Sequence, residues 1–365
     1  MDETTRIGAR DLRRHHLGLV LTTIVRDAPV TRAAVATRTG LTRSTVSALT
    51  GVLVDDGLVR DIGPGPEAAA GRPGHRLVPD PAGPVGVGLQ VERDHVGGCL
   101  VDLAGRAGPR RHRPADLAGA GPAVVARAVR TVLRTLLWDA VSADRLVAGI
   151  VAGVPGVVAQ DHRTVREAPA LGLTGVDLGG LLAGEAGAVG AGGIPLSVRS
   201  GVALAAAAEP GTASGVVVHV GGHCEVGVVA VRDGRVEGGD AATRFGHLTV
   251  RSGGLACPCG RTGCLNAELR AGGAEDERAL RRAGRTLGEA LAGFAAPLAP
   301  VAVVLGGRFR DAGPGFCAAV GSALVRHGVA PGSVRRAELG PDAAMRGAGT
   351  SAVAGLLADP CRTAR

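Results

Sequence analysis

Three cysteines and a histidine within eighteen residues constrain this chain more than any other feature. Cys257, Cys259 and Cys264 follow a Cys-x-Cys-x4-Cys spacing across a loop that carries Gly260 and Gly263, and His247 stands just upstream. Three thiolates and one imidazole make a Cys3His set. That is the closed, tetrahedral shell of a structural zinc ion, with no position open for water or substrate. Two other readings of the same residues stand beside it. Free cysteines pack in cores as small hydrophobes, although three so close together between turn glycines follow no core period. A disulfide is the second, but the total of seven cysteines is odd and Met1 to Arg14 is charged, unlike a secretory leader. A crowded cysteine loop in an intracellular setting points to metal.

The wider segment reads Phe245-Gly-His-Leu-Thr-Val-Arg-Ser-Gly-Gly-Leu-Ala-Cys-Pro-Cys-Gly-Arg-Thr-Gly-Cys-Leu265. It resembles the signature of the ROK family (repressors, open reading frames and kinases), in which a Gly-His-Leu-x-Val strand leads into such a cysteine loop. In weaker form the resemblance runs from about residue 84 to the C-terminus. It implies an actin-like, two-lobed α/β sugar-kinase fold. The family uses that fold either to phosphorylate sugars or as the sensor half of a transcription factor.

The N-terminal part carries a different pattern. Asp11 to Arg26 reads as a helix, with Leu12, His16, Leu19 and Val20 at helical spacing, and Asp27-Ala28-Pro29 breaks it. Thr31 can cap a short helix through Arg38, and Gly40 supplies the turn. Thr42 can cap the next helix, whose Val46, Leu49 and Leu53 recur at i, i+3 and i+7 before Asp56-Gly57. Two short helices joined by a tight glycine turn form a helix-turn-helix; taken alone, a plain helical hairpin reads the same. The run from Leu58 to Ile62 and Arg76-Leu77-Val78 then read as a two-stranded wing. The ordered set resembles the winged helix at the N-terminus of ROK repressors, including their Gly71-Arg72-Pro73 element.

The inward apolar stripe leaves Thr42, Arg43, Ser44, Thr45 and Ser47 at the exposed N-terminal turn, the part such helices push into a major groove. Arg43 can offer two donors to a guanine edge, and the hydroxyls suit phosphates and base edges. Arg72 on the wing can enter a narrow minor groove. The net charge of +8 says less, because the chain has no lysine and arginine, alanine and glycine are heavily used throughout. Its placement says more: Val30 to Val54 contains Arg32, Arg38 and Arg43 and no acidic residue. No tyrosine and one tryptophan make a stacking platform for single strands a poor expectation.

Beyond the linker Asp80 to Pro84, strands alternate with helices, as an α/β domain in two lobes requires. No run of eighteen apolar residues is free of charge, glycine or proline, so the expectation is a cytoplasmic protein with no membrane contact. Set against the family pattern, the kinase machinery is altered. Gly88 stands at the Asp of the first phosphate loop, and Ser200-Gly201 replaces the Asn-Asp pair that opens the catalytic helix. Loss of a general base costs roughly 100- to 10,000-fold in rate. Glu225 intrudes in the second glycine loop, where a carboxylate would repel phosphate. Arg244, Asn266 and Ala170 replace sugar-contacting Glu, Glu and Asn, and Glu268 is displaced by two positions.

The expectation is therefore a winged helix-turn-helix over residues 1–82 and a catalytically degenerate ROK domain over residues 83–365, with its zinc loop at 247–264. The chain would act as a sequence-specific repressor of double-stranded DNA, a homodimer or homotetramer, with structural zinc and a sugar-like effector. The alternatives are a sugar kinase with a relocated base and a zinc-braced regulator with no small-molecule effector.

Overall fold

A computed structural model of the chain describes residues 8–65, 74–212, 215–270, 277–330 and 332–363. The N-terminal domain opens with helix α1 (Ala9–Asp27), strand β1 (Val30–Thr31), α2 (Arg32–Thr39) and α3 (Arg43–Asp55). The antiparallel strands β2 (Val59–Pro64) and β3 (His75–Pro79) follow, and β1 pairs with the free edge of β3. Both expected caps form: the Thr31 hydroxyl accepts from Ala34 N–H and the Thr42 hydroxyl from Thr45 N–H, each at 3.2 Å. Gly40 closes α2 at φ +71°, which only glycine adopts without strain. The buried stripe of α1 is Leu17, Val20, Leu21 and Ile24; of the residues anticipated only Val20 lies in it, and Leu12 is 47% exposed. Periodicity gives the spacing of a stripe; its phase is set by what the helix meets. The Gly71-Arg72-Pro73 element lies outside the described residues.

The turn Asp80 to Pro84 leads into β4 (Val85–Val91), β5 (His95–Asp102) and β6 (Arg111–Pro114), then α4 (Pro122–Ser142) and β7 (Val147–Val154). A small three-stranded layer of β8 (Val157–Val158), β9 (Thr164–Ala168) and β10 (Leu173–Asp177) precedes α5 (Leu178–Gly187), β11 (Leu196–Ser200) and α6 (Gly201–Ala208). The second lobe holds β12 (Val216–Gly221), β13 (Gly227–Arg232), β14 (Arg235–Glu237) and α7 (Leu265–Arg270). It continues through α8 (Glu277–Ala295), β15 (Ala302–Leu305), α9 (Pro314–Arg326) and β16 (Ser333–Arg336), after which α10 (Ala343–Ala358) returns to the first lobe.

The two lobes repeat one topology. Their sheets run β6-β5-β4-β7-β11 and β14-β13-β12-β15-β16, so each is an antiparallel three-strand meander extended by two parallel strands. Valine-rich β4 and β12 are buried throughout, as central strands covered on both faces must be. In the first lobe α4 and α5 pack on Val87, Leu89 and Ile150. In the second, α8 and α9 cover Val218, Val220 and Val303, and α6 covers Val217, Val229 and Val304 on the other face.

Helix α10 closes the remaining face of the first sheet and touches more of the molecule than any other helix. It lies so close to β4 and β7 that only glycine fits opposite it. A Cβ at Gly88 would strike the backbone of Met345 and Gly349, and one at Gly149 would lie 2.6 Å from the Ala352 carbonyl oxygen. Its Gly347 meets the backbone of Leu204 on α6 in the same way. At its far end α10 carries α1: a Cβ at Gly18 would lie 2.6 Å from the Ala358 oxygen, and Arg14 pairs with Asp359 at 3.3 Å. Val353 and Leu356 of α10 enter the same apolar cluster as Leu17, Leu21, Val46 and Leu53, so the N-terminal core continues into the α/β body. Restoring an acid at Gly88 should therefore damage the fold. Gly88→Asp is expected to destabilise by about 1–3 kcal/mol or more through overpacking against α10, read as a lower melting temperature in calorimetry.

Candidate functional site

The cysteine loop is shaped by its own backbone. Ala256 and Thr262 form a bridge, Cys257 N–H donates to Arg261 O at 2.8 Å, and Gly260 N–H returns to Cys257 O at 2.9 Å. Gly260 and Gly263 take φ of +86° and +70°, and a Cβ at Gly263 would collide with the Arg251 carbonyl. The Glu268 carboxylate accepts from Leu255 N–H at 2.8 Å and braces the loop from α7. His247 ends a 3-10 run, Gly239–His247, rather than lying in the strand that the family pattern implies. Leu248 is turned outward, and Thr249 makes only one bridge, to Cys264.

This folding brings all four predicted donors together, with their ligand atoms within 4.8 Å of one another. Cys257 Sγ lies 3.5 Å from His247 Nδ1, and Cys259 Sγ lies 3.6 Å from Cys264 Sγ. A tetrahedral ion with Zn–S of about 2.3 Å and Zn–N of about 2.0–2.1 Å has edges of about 3.5–3.8 Å, so these separations fit. The charges fit too. Burial pushes the Cys259 thiol up, but donors from Arg261 and the neighbouring thiols outweigh it and bring it down to about 6. Burial and the thiols Cys259 and Cys257 push Cys264 up to about 12. With Cys257 and Cys264 both pushed up, a bound cation would be what holds all three as thiolates, and the Cys3His donor set suits one.

One residue of this centre was not legible as such in the sequence. Glu225 is 4% exposed, accepts from Ala170 N–H at 3.2 Å, and aims its other oxygen at His247 Nε2, 3.7 Å away. Neither of those two facing atoms has another hydrogen-bond partner. A carboxylate behind a ligating histidine fixes its tautomer and orientation. Glu225 was expected to repel phosphate; it lines the cleft and also stands behind His247. No short-range motif signals it, because it comes from the β12–β13 turn, 22 residues ahead of His247.

The cleft between the lobes is nearly filled. Its cavity holds about 30 Å³ among Gln90, Glu92, Gly201, His223 and Glu225, against roughly 300–1,000 Å³ for ordinary small-molecule sites. Glu92 is engaged by Gln90 at 3.3 Å and by the Cys224 thiol at 3.1 Å. Asn266 is buried and accepts from Val226 N–H at 2.7 Å, Arg244 pairs with Glu167 at 3.2 Å, and Asp94 binds His95 at 2.7 Å. A Cβ at Gly201 would have ordinary clearance, 3.5 Å to Val154 O, so residue type and not space removes the base there.

On α3, Thr42, Arg43, Ser44 and Ser47 are exposed and Thr45 is half-buried. Arg43 makes no ion pair among the described residues. The Thr42 hydroxyl lies 3.0 Å from that of Ser44 and 2.8 Å from that of Thr45, so Thr42 and Thr45 serve the cap first. Arg72 lies outside the described residues.

The duplicated lobes, the N-terminal helices and the cysteine centre define a two-lobed, sugar-kinase-like α/β protein with a helix-turn-helix. The sequence profile of the ROK family matches residues 87–274, more than half of the chain, and that of the IclR helix-turn-helix domain matches residues 25–62. The chain belongs to the ROK family. It is 24% identical to the xylose repressor of Bacillus subtilis (strain 168) over 252 residues, 67% of this chain and 63% of the repressor. A crystal structure of a ROK family transcriptional regulator, a homologue of the E. coli MLC protein, superposes with a TM-score of 0.73. It shares 19% identity and covers 95% of this chain and 97% of its own. A ROK glucokinase from Streptomyces griseus reaches 0.60 with 20% identity, covering 72% of this chain and 97% of its own.

The centre predicts a pattern of thiol reactivity. Cys257, Cys259 and Cys264 are expected to resist a chromogenic disulfide reagent until a chelator is added, whereas exposed Cys361 reacts at once. Immediate reaction of all the loop thiols in native protein would refute a bound metal.

Proposed function

We propose that this chain is a sequence-specific repressor acting in the cytoplasm, with residues 1–82 as its DNA-binding unit and residues 83–365 as a non-catalytic ROK body. The observation that carries the reading is the N-terminal turn of α3: an exposed, unpaired Arg43 among short hydroxyls, joined through α10 to a body whose sugar cleft is filled. The xylose repressors among its relatives favour the same reading. Thr42, Arg43, Ser44, Thr45 and Ser47 are the proposed base and phosphate contacts, with Arg72 reaching the adjacent minor groove. The body pairs two copies, as a homodimer or a pair of dimers, because operator half-sites lie one helical turn apart. His247, Cys257, Cys259 and Cys264 hold one structural zinc, the metal that the chelator would release. The zinc braces the second lobe and carries no reaction step. A sugar-like effector tunes the spacing of the two recognition helices.

A bidentate arginine discriminates between bases, whereas phosphate contacts add affinity on any sequence. Arg43→Ala is expected to weaken operator binding by about 1–3 kcal/mol and to relax preference at one base pair. Footprints and a salt series on wild type and variant would check this. A uniform loss on all duplexes, with the salt slope lower by about one unit, would reassign Arg43 to phosphate. Failure of the full chain to bind any duplex at low salt would defeat the regulator reading. Incubation with ATP and glucose, xylose or N-acetylglucosamine is expected to yield no phosphorylated sugar above a no-protein control.

A further inference from the structure

A cavity far larger than the interlobe cleft lies elsewhere in the described structure. It lies between α6 and α10 on the other side of α6, with a volume of about 530 Å³, within the range of roughly 300–1,000 Å³ that small-molecule sites occupy. Its floor is small side chains, among them Ala203, Ala207 and Gly347. Its polar groups are donors: Arg199 from β11, His162 and Gln160 from the loop ahead of β9, and the hydroxyls of Thr350 and Ser351 on α10. Among the described side chains no carboxylate lines it.

Two of these donors are buried without a partner. Arg199 Nε and His162 Nδ1 are shielded from solvent and have no hydrogen bond, and Arg199 enters no ion pair among the described residues. Their backbones are nevertheless fixed: Val198 N–H donates to His162 O at 2.7 Å, and Arg199 sits in register beside Gly153 in the parallel sheet. Both nitrogens are closed off from solvent and so lie behind the cavity wall; what a ligand would meet is the remainder of the Arg199 and His162 side chains, which line the cavity. A guanidinium, an imidazole and two hydroxyls on one cavity wall, with no acid among the described side chains, match an oxyanion with several acceptor oxygens.

We infer that the cavity between α6 and α10 binds the phosphate monoester of a sugar-sized molecule. Arg199 and His162 hold the phosphate, Thr350 and Ser351 bond to it or to the adjoining hydroxyls, and the alanine floor accepts the carbon skeleton. The site also explains how binding reaches the N-terminal domain. Thr350 and Ser351 lie on α10, and Val353 and Leu356, within the next two turns, belong to the core formed with Leu17, Leu21 and Leu53. A ligand bridging β11 and α10 biases the position of the helix that α1 rests on. This second part rests on the regulator reading; the binding site does not.

The test is calorimetry on the full chain with inorganic phosphate, glucose 6-phosphate and glucose. Glucose 6-phosphate is expected to bind once per chain, and glucose is expected neither to bind there nor to displace it. Arg199→Ala should weaken the binding at least tenfold and Arg199→Lys should recover part of it. Ala207→Leu, an exposed position on α6 whose longer side chain fills the cavity, should abolish it while the unliganded protein melts as wild type does. Absence of binding by both phosphate and glucose 6-phosphate, or binding indifferent to Arg199→Ala, would overturn the site and leave a solvent-filled space. The relay is read on a duplex selected by the full chain from a random library. Saturating glucose 6-phosphate should shift its affinity in wild type and leave Arg199→Ala unmoved, and an unshifted wild type would remove the relay. A chain that selects no duplex would sink the regulator reading while the calorimetric result stood.

Discussion

Backbone contact between α10 and its neighbours is the constraint on which the other parts of this structure depend. The helix crosses β4 and β7 at glycine positions, meets α6 where Gly347 faces Leu204, and ends beneath α1 at Gly18. Contacts of this kind leave no side chain to rearrange, so the helix cannot shift against one neighbour without shifting against the others. Interiors packed to this density behave as bistable units and do not deform smoothly. The apolar cluster shared by α1, α3 and α10 makes the N-terminal helices part of the same body rather than a tethered module.

The same crossing bears on how the interlobe cleft departs from the kinase pattern of the family. A kinase of this fold needs a carboxylate near the first phosphate loop, and at Gly88 the backbone of α10 occupies the space such a side chain would need. The groups that remain in the cleft bond to each other. Glu92 is held by Gln90 and Cys224, Asn266 by the Val226 amide, and Glu225 is drawn toward His247. Polar residues remain where a ligand would contact them, but their partners are now internal.

The cysteine centre is held at two levels. Backbone hydrogen bonds and two left-handed glycines fold the loop, and its three thiols meet His247, at the end of the preceding 3-10 run, in a set that could hold a metal ion. Glu225 and Glu268 then support the centre from either side, one behind the histidine and one beneath the loop. A metal held by these four donors would brace the second lobe near the cleft without offering it an open coordination position.

The local chemistry of this chain was readable in its sequence. Cap hydroxyls at Thr31 and Thr42, the turn glycine at Gly40 and the ligand spacing from Cys257 to Cys264 act over a few residues, and short-range rules hold at that range. The alternation of valine-rich strands with helices likewise gave the α/β class. What the sequence left open depends on distant partners. Of the stripe expected on α1 only Val20 is buried, because its phase is set by α2, α3 and α10, the last more than three hundred residues away. Glu225 read as a fault in a phosphate loop because its partner His247 is not local to it. The cavity that unites Arg199, His162 and Ser351 joins three segments with no common motif. Such sites arise only when the chain closes on itself, because burial, and with it the cost of an unpaired donor, is a property of the packed body and not of any stretch of sequence.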